Sequence, residues 1–314
     1  MQNQHIHSIT IVGAGTMGNG IAHVCAMAGF SVKLMDSSEE QLRWALQTIE
    51  KNLTRMAEKK KIKPVEVGSS LARVQTYTNI KQAISDSNMV LEVVPEQLSL
   101  KKQIWSQIEQ GINPKCLKQT IFATNTSSIS ISELAEGITH PENMIGMHFF
   151  NPVPVMSLVE IILWNKTNEQ TFKTVESLTR ELGKTPIRVH DFPWFLSNRI
   201  LMTMIKESIY AIHQGVAEKE AIDQVMTLGM AHPMGPLRLA DFIGLDVCLN
   251  IMKVLYKGFQ NDKYTPCPLL REMVDKGLLG NKTGQGFYTV SYTHLRAHET
   301  GRNRGCRLVL EKKK

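Results

Sequence analysis

His148 and Glu160 stand twelve residues apart, on either side of a turn built from Asn151, Pro152 and Pro154. Proline fixes φ and lacks an N–H, so no helix forms there and the chain reverses. The apolar run 144–150 reads as a buried strand and 155–163 as the next. Strands joined by so short a connection lie side by side, which brings imidazole and carboxylate together. The carboxylate then fixes the tautomer and raises the basicity of the ring, and the product is a general base for proton transfer. Taken alone, the pair is better read as a hydrogen-bonded core histidine and a strand-end acid. The surrounding elements reverse that balance.

The run Ser8 to Val12 is a short buried strand, followed at once by Gly13-Ala-Gly-Thr-Met-Gly18 and an amphipathic helix over 17–28. This is GxGxxG in the context it requires. Gly13 allows the tight turn, Gly15 lets backbone approach a pyrophosphate, and Gly18 lets the helix sit close to the sheet. A second strand, 31–35, ends in Asp36, eighteen residues beyond Gly18. A carboxylate there accepts both ribose hydroxyls of an adenosine and repels a 2′-phosphate. Ser37 and Ser38 offer no arginine, so the cofactor is expected to be NAD and not NADP. Asp36 also reads as a helix N-cap before SSEEQL.

Further strand–helix units follow, 88–94 with 98–108 and 119–124 with 131–136, and such alternation predicts a doubly wound parallel sheet. Residues 38–68 form a helical insertion with Leu42, Leu46, Ile49, Leu53 and Met56 on one face. The pattern ends in Glu58-Lys-Lys-Lys61 and stops at Pro64; the lysines are a solvated helix end or a phosphate site. Beyond a boundary near 190–193 the pattern is helical, over 195–214, 218–227, 237–256 and 269–276, with Gly215 and Pro233–Pro236 as breakers. The expected architecture is an α/β Rossmann-type doubly wound sheet over 1–190 with a helical-pair insertion, then an all-α domain over 191–289. Met202, Met204, Met226, Met230 and Met234 read as core and interface packing, with acyl contact secondary.

Composition narrows the class. At 314 residues and 42% apolar content the chain can bury two cores. Five cysteines without a CxxC pair fit neither a disulfide framework nor a zinc site, so reduced thiols and no metal are expected. No apolar segment approaches the roughly 20 residues of a membrane span, and the N-terminus lacks the blocks of a secretory signal. A cytoplasmic location is expected. The net charge is +7, but residues 291–314 hold seven basic and two acidic residues, leaving only +2 elsewhere. That is no nucleic-acid footprint. The segment VSYTHLRAHET, 290–300, resembles the in-frame translation of a transposase adaptor used in sequencing libraries, so 290–314 reads as non-native read-through. A basic tail for membrane or nucleic acid is the competing reading.

GAGTMG, Asp36, VVPEQLSLK (93–101), NTSS (125–128), HFFNPVPVM (148–156), MAHPMGPLRLADFIGLD (230–246) and KTGQGFY (282–288) together resemble the L-3-hydroxyacyl-CoA dehydrogenase family. The similarity spans about residues 5–289 and is to the short, single-function type, close to the 3-hydroxybutyryl-CoA dehydrogenases. It implies NAD-dependent oxidation of a 3-hydroxyacyl-CoA and a homodimer formed through the helical domain. His148 would take the 3-hydroxyl proton, Glu160 would orient it, and Ser127 and Asn198 would hydrogen-bond substrate oxygens. Thr16, Met17, Asn125 and Ser127 would join the glycines and Asp36 around the cofactor. Glu96 and Lys101 would line its nicotinamide side. Asn52, Lys59, Ser127 and Asn151 would contact the CoA substrate, Asn52 standing where a relative has serine. From the residues alone, Ser127 is a turn residue, Asn198 a polar helix residue, and Glu96 with Lys101 a solvated pair. The family usually has Pro-Gly-Phe where this chain has Pro193-Trp194-Phe195, and the added bulk is expected to affect the acyl pocket or domain closure. Two alternatives fit the same motifs: a hydroxyacid or sugar-acid (gulonate-type) dehydrogenase, for which Lys59 is the discriminator, and a non-catalytic crystallin-like dinucleotide-binding protein.

Overall fold

A computed structural model describes residues 6–289. The proposed read-through tail lies outside them. The chain divides after Phe195 into two compact units.

The first unit is built on eight strands: β1 (Ser8–Val12), β2 (Ser31–Met35), β3 (Val74–Tyr77), β4 (Met89–Glu92), β5 (Ile121–Thr124), β6 (Met144–Phe149), β7 (Leu158–Leu163) and β8 (Thr185–His190). Their order in the sheet is β3-β2-β1-β4-β5-β6-β7-β8. Every pairing is parallel except β6 with β7. The exception has a simple cause: the connection after Phe149 is too short for a crossover, so β7 returns antiparallel. The helices are α1 (Thr16–Met27), α2 (Glu39–Glu58), α3 (Pro64–Leu71), α4 (Ile80–Ile84), α5 (Leu98–Gly111), α6 (Pro114–Leu117), α7 (Ile131–Leu134) and α8 (Glu169–Glu181).

Both sheet faces are covered, and strand alternation sorts side chains between two cores. Ile9, Ile11, Met89, Leu91, Ile145, Met147 and Ile161 pack with α1, α2 and α8. Val12, Val90, Phe122, Met144 and Ile162 pack with α4, α5 and α7. The same parity puts Glu92, Thr124, His148 and Glu160 on the second face.

The insertion is a helical pair, though its hinge differs from expectation. Helix α2 ends at Glu58, and Pro64 opens α3 at its first position, where the missing N–H costs nothing. Ser38 caps α2 by accepting from the Gln41 N–H, and Glu39 and Glu40 meet the positive end of the helix dipole.

The second unit contains α9 (Ser197–His213), α10 (Lys219–Gln224), α11 (Pro236–Ile243), α12 (Leu245–Phe259) and α13 (Pro268–Asp275). The single helix expected over 237–256 is two, broken at Gly244 with φ +106°, a conformation side chains rarely adopt. A π-helical turn, Val225–Gly229, ends the helix expected to run to 227. Asp241 closes the unit by accepting from the Phe287 and Tyr288 N–H groups, and Asp223 accepts from the Tyr288 hydroxyl. Among the described residues no helix is long and apolar enough to cross a membrane, and no cluster of His, Cys, Asp and Glu could hold a metal.

Candidate active site

His148 and Glu160 are directly opposite each other across the β6/β7 ladder. Both are buried, and His148 Nδ1 lies 2.8 Å from Glu160 Oε2. A carboxylate accepts only, so Nδ1 carries the proton and Nε2 keeps its lone pair. The rings of Phe150 and Phe195 stand 4.6 and 6.0 Å from the imidazole and restrict its rotation. The connection between the strands is clamped by Lys184, whose ammonium donates to the carbonyls of Val153 (2.6 Å) and Met156 (2.8 Å). Burial lowers the pKa of that amine. Nothing in the sequence marks Lys184, since it follows a helix that the periodicity reading passes over.

The glycine turn fits a dinucleotide. Gly13 has φ +111°, and a Cβ there would lie 2.7 Å from the Val93 carbonyl oxygen. A Cβ on Gly18 would lie 1.8 Å from the Gly13 oxygen, so any other residue would push α1 off the turn. Gly15 faces open space, leaving room for phosphate at the start of α1, beside Thr16 and Met17. Asp36 does not cap α2; that role is taken by Ser38. Its carboxylate instead accepts from the Ala14 N–H (2.9 Å) and the Ser38 N–H (3.0 Å), locking the end of β2 to the glycine turn. Gln41 donates to the Ala14 carbonyl and completes the lock.

Glu96 and Lys101 are not a solvated pair. Lys101 is 1% exposed and Glu92 0%. The Lys101 ammonium lies 2.7 Å from Glu92, 3.3 Å from Glu96 and 3.2 Å from the Val94 carbonyl. Glu96 Oε1 accepts from the Thr126 and Ser128 hydroxyls and from the Ser127 and Ser128 N–H groups. Burial alone would raise the Glu96 carboxyl; the Lys101 charge and these donors outweigh it and hold the pKa below its ordinary value. The loop carrying Ser127 is thereby fixed on the β4–α5 connection. Its other end is held by Asn125, which accepts from the Phe149 N–H, and by Asp191, which accepts from the Ser130 hydroxyl and the Ser132 N–H. Glu92 and Asp191 escaped sequence reading: one hides inside an apolar strand run and the other lies sixty residues from its partners.

Asn151 is exposed on the turn after β6. Asn52 and Lys59 lie on and just after α2, half-buried and exposed respectively. Asn198 is the second residue of α9, in the other unit. Of the methionines, Met202 is core, whereas Met230 and Met234 are exposed. Trp194 has φ +59° and Phe195 φ +53°. This left-handed backbone explains a glycine at the first position; tryptophan tolerates it at a cost of about 1–2 kcal/mol.

Comparison with known proteins agrees with this geometry. Residues 8–192 match the model of the 3-hydroxyacyl-CoA dehydrogenase NAD-binding domain, and residues 195–290 match that of its C-terminal domain. A probable 3-hydroxybutyryl-CoA dehydrogenase of Bacillus subtilis is 47% identical over 283 residues, covering 90% of this chain and 97% of the relative. A 3-hydroxybutyryl-CoA dehydrogenase of Bradyrhizobium diazoefficiens is 45% identical over 283 residues, covering 90% and 95%. The crystal structure of (S)-3-hydroxybutyryl-CoA dehydrogenase from Ralstonia eutropha superposes with a TM-score of 0.87 at 44% identity, covering 91% of this chain and all of that one. With both domain models matched in order and the dinucleotide turn and His–Glu pair in place, the chain belongs to the 3-hydroxyacyl-CoA dehydrogenase family.

Proposed function

We propose that the protein interconverts (S)-3-hydroxyacyl-CoA and 3-oxoacyl-CoA with NAD, acting on short acyl chains. The opposed His148–Glu160 pair carries this reading, because it leaves one basic nitrogen, Nε2, held at a fixed place. In oxidation Nε2 takes the proton of the 3-hydroxyl, and Glu160 stabilises the imidazolium that forms. NAD supplies the hydride acceptor when bound. Ser127 and Asn198 hydrogen-bond substrate oxygens; Asn52, Lys59 and Asn151 serve the CoA moiety. Exposed Met230, Leu228 and Val225 on the helical unit are apolar surface suited to a homodimer contact, and the protein acts in the cytoplasm.

The test is NADH consumption with acetoacetyl-CoA, set beside free acetoacetate and beside NADPH. Rapid turnover only with the CoA ester and NADH is expected. Turnover of the free acid would instead point to the hydroxyacid dehydrogenase, and tight NADH binding without turnover to the non-catalytic reading.

Glu160→Gln tests the pair. The amide keeps the shape but loses the charge, so turnover falls by at least about 10- to 100-fold, the range for carboxylate partners of metal-bound histidines. The acid limb of the oxidation profile moves to lower pH, because the imidazolium loses its counter-charge. A pH profile unmoved by the substitution would show that the carboxylate does not act on the imidazole.

A further inference from the structure

Glu92 has no role in the proton chemistry, yet it is a fully buried carboxylate at the end of β4. Oε1 accepts from the Val94 N–H (2.8 Å) and from Lys101 (2.7 Å), and Oε2 accepts from the Thr124 hydroxyl (2.7 Å). With Glu96 also on Lys101, two carboxylates share one ammonium, and the cluster carries a net charge of −1. Its place in the sheet is specific. The strand order reverses between β1 and β4, the point where a doubly wound sheet takes its dinucleotide. Asp36 stands on the β2 side, where it would hold the adenosine, and the nicotinamide half would then lie toward β4 and β5. Val93, the next residue after Glu92, packs its carbonyl against Gly13. Glu92 is in register with Thr124, and Thr124 with Gly146, so the cluster and His148 share one sheet face two strands apart. Two strand spacings and the two-residue step from Gly146 to His148 separate them by about 12 Å along the sheet. A nicotinamide ring bound beside His148 would lie on the order of 10 Å from the cluster.

We propose that Glu92 sets the redox preference of the site: its buried charge makes the cluster anionic, which favours the cationic nicotinamide of NAD+ over the neutral ring of NADH. Without Glu92, Lys101 and Glu96 would cancel. A carboxylate in that position is costly to bury without partners, and the Val94 N–H, the Thr124 hydroxyl and Lys101 supply them. The inference rests on the NAD assignment alone and not on the identity of the substrate.

The test measures binding, not turnover. Dissociation constants for NADH are read from its fluorescence and for NAD+ by calorimetry, on the full chain. In Glu92→Gln the ratio of the NAD+ to the NADH constant rises by about five- to fifteenfold, the effect of one charge at about 10 Å in an environment between protein surface and water. In Glu92→Gln/Lys101→Met the cluster returns to −1, and the ratio returns to within about twofold of the parent. That reversal separates charge from structural damage, which would persist or worsen in the double variant. An unchanged ratio in the single variant, or an equal change in both, overturns the proposal. If the parent bound neither form, the cofactor assignment itself would fail, and this inference with it.

Discussion

His148→Gln lowers turnover by about 10² to 10⁴, equivalent to roughly 3–5 kcal/mol of barrier, while NADH binding changes by no more than about twofold. Glutamine reaches nearly as far as histidine and can still hydrogen-bond Glu160, so strand pairing survives. It has no basic nitrogen near neutral pH, so the proton of the 3-hydroxyl loses its acceptor. The cofactor turn is built from other elements: Gly13 follows β1, Gly18 is in α1, Asp36 follows β2 and Gln41 is in α2. That separation is why turnover and cofactor affinity come apart. Steady-state rates beside a fluorescence titration decide it. A variant turning over within threefold of the parent would remove His148 as the base, and a parallel collapse of NADH affinity would mean that the substitution had disturbed the sheet.

The cofactor half of the site was readable because its logic is local. Glycine positions, a strand end and a carboxylate eighteen residues on are set by backbone geometry, and in the fold Gly13 takes φ +111° while Asp36 at the end of β2 accepts from the Ala14 N–H. The His–Glu pair was readable for a related reason: a proline-rich turn forces two strands together, and a period of two then sets the residues opposite. Elements without such a local rule were missed. Strand β3 is four residues long at the sheet edge, with two exposed positions, so its apolar signal is faint. The break at Gly244 hides in a run whose apolar spacing continues through it. Glu96 and Lys101 looked like solvated charges because burial is a property of the fold: only when α5 packs on the sheet does Lys101 meet Glu92, nine residues earlier in the chain. The strain at Trp194 was invisible for the same reason, since φ is not written in the residue type. Charge networks are long-range agreements between elements, and a single chain read in order shows only one party at a time.

The Glu92–Lys101 pair also yields the largest stability effect. Methionine at 101 fills the same volume, so Lys101→Met leaves little cavity, but it strands a carboxylate that is 0% exposed. Removing one partner of a buried ion pair costs about 3–5 kcal/mol, because the remaining charge keeps its desolvation penalty and loses its counter-ion. The donors from Val94 and Thr124 remain and soften this without cancelling it. Glu92→Gln on top of Lys101→Met removes the charge at source and recovers most of the loss, a coupling visible only in the double-mutant cycle. Denaturant unfolding of the parent, both singles and the double measures all four corners. A loss below about 1 kcal/mol for Lys101→Met, or additive losses in the double, would mean that water reaches Glu92 and that the pair carries no such energy.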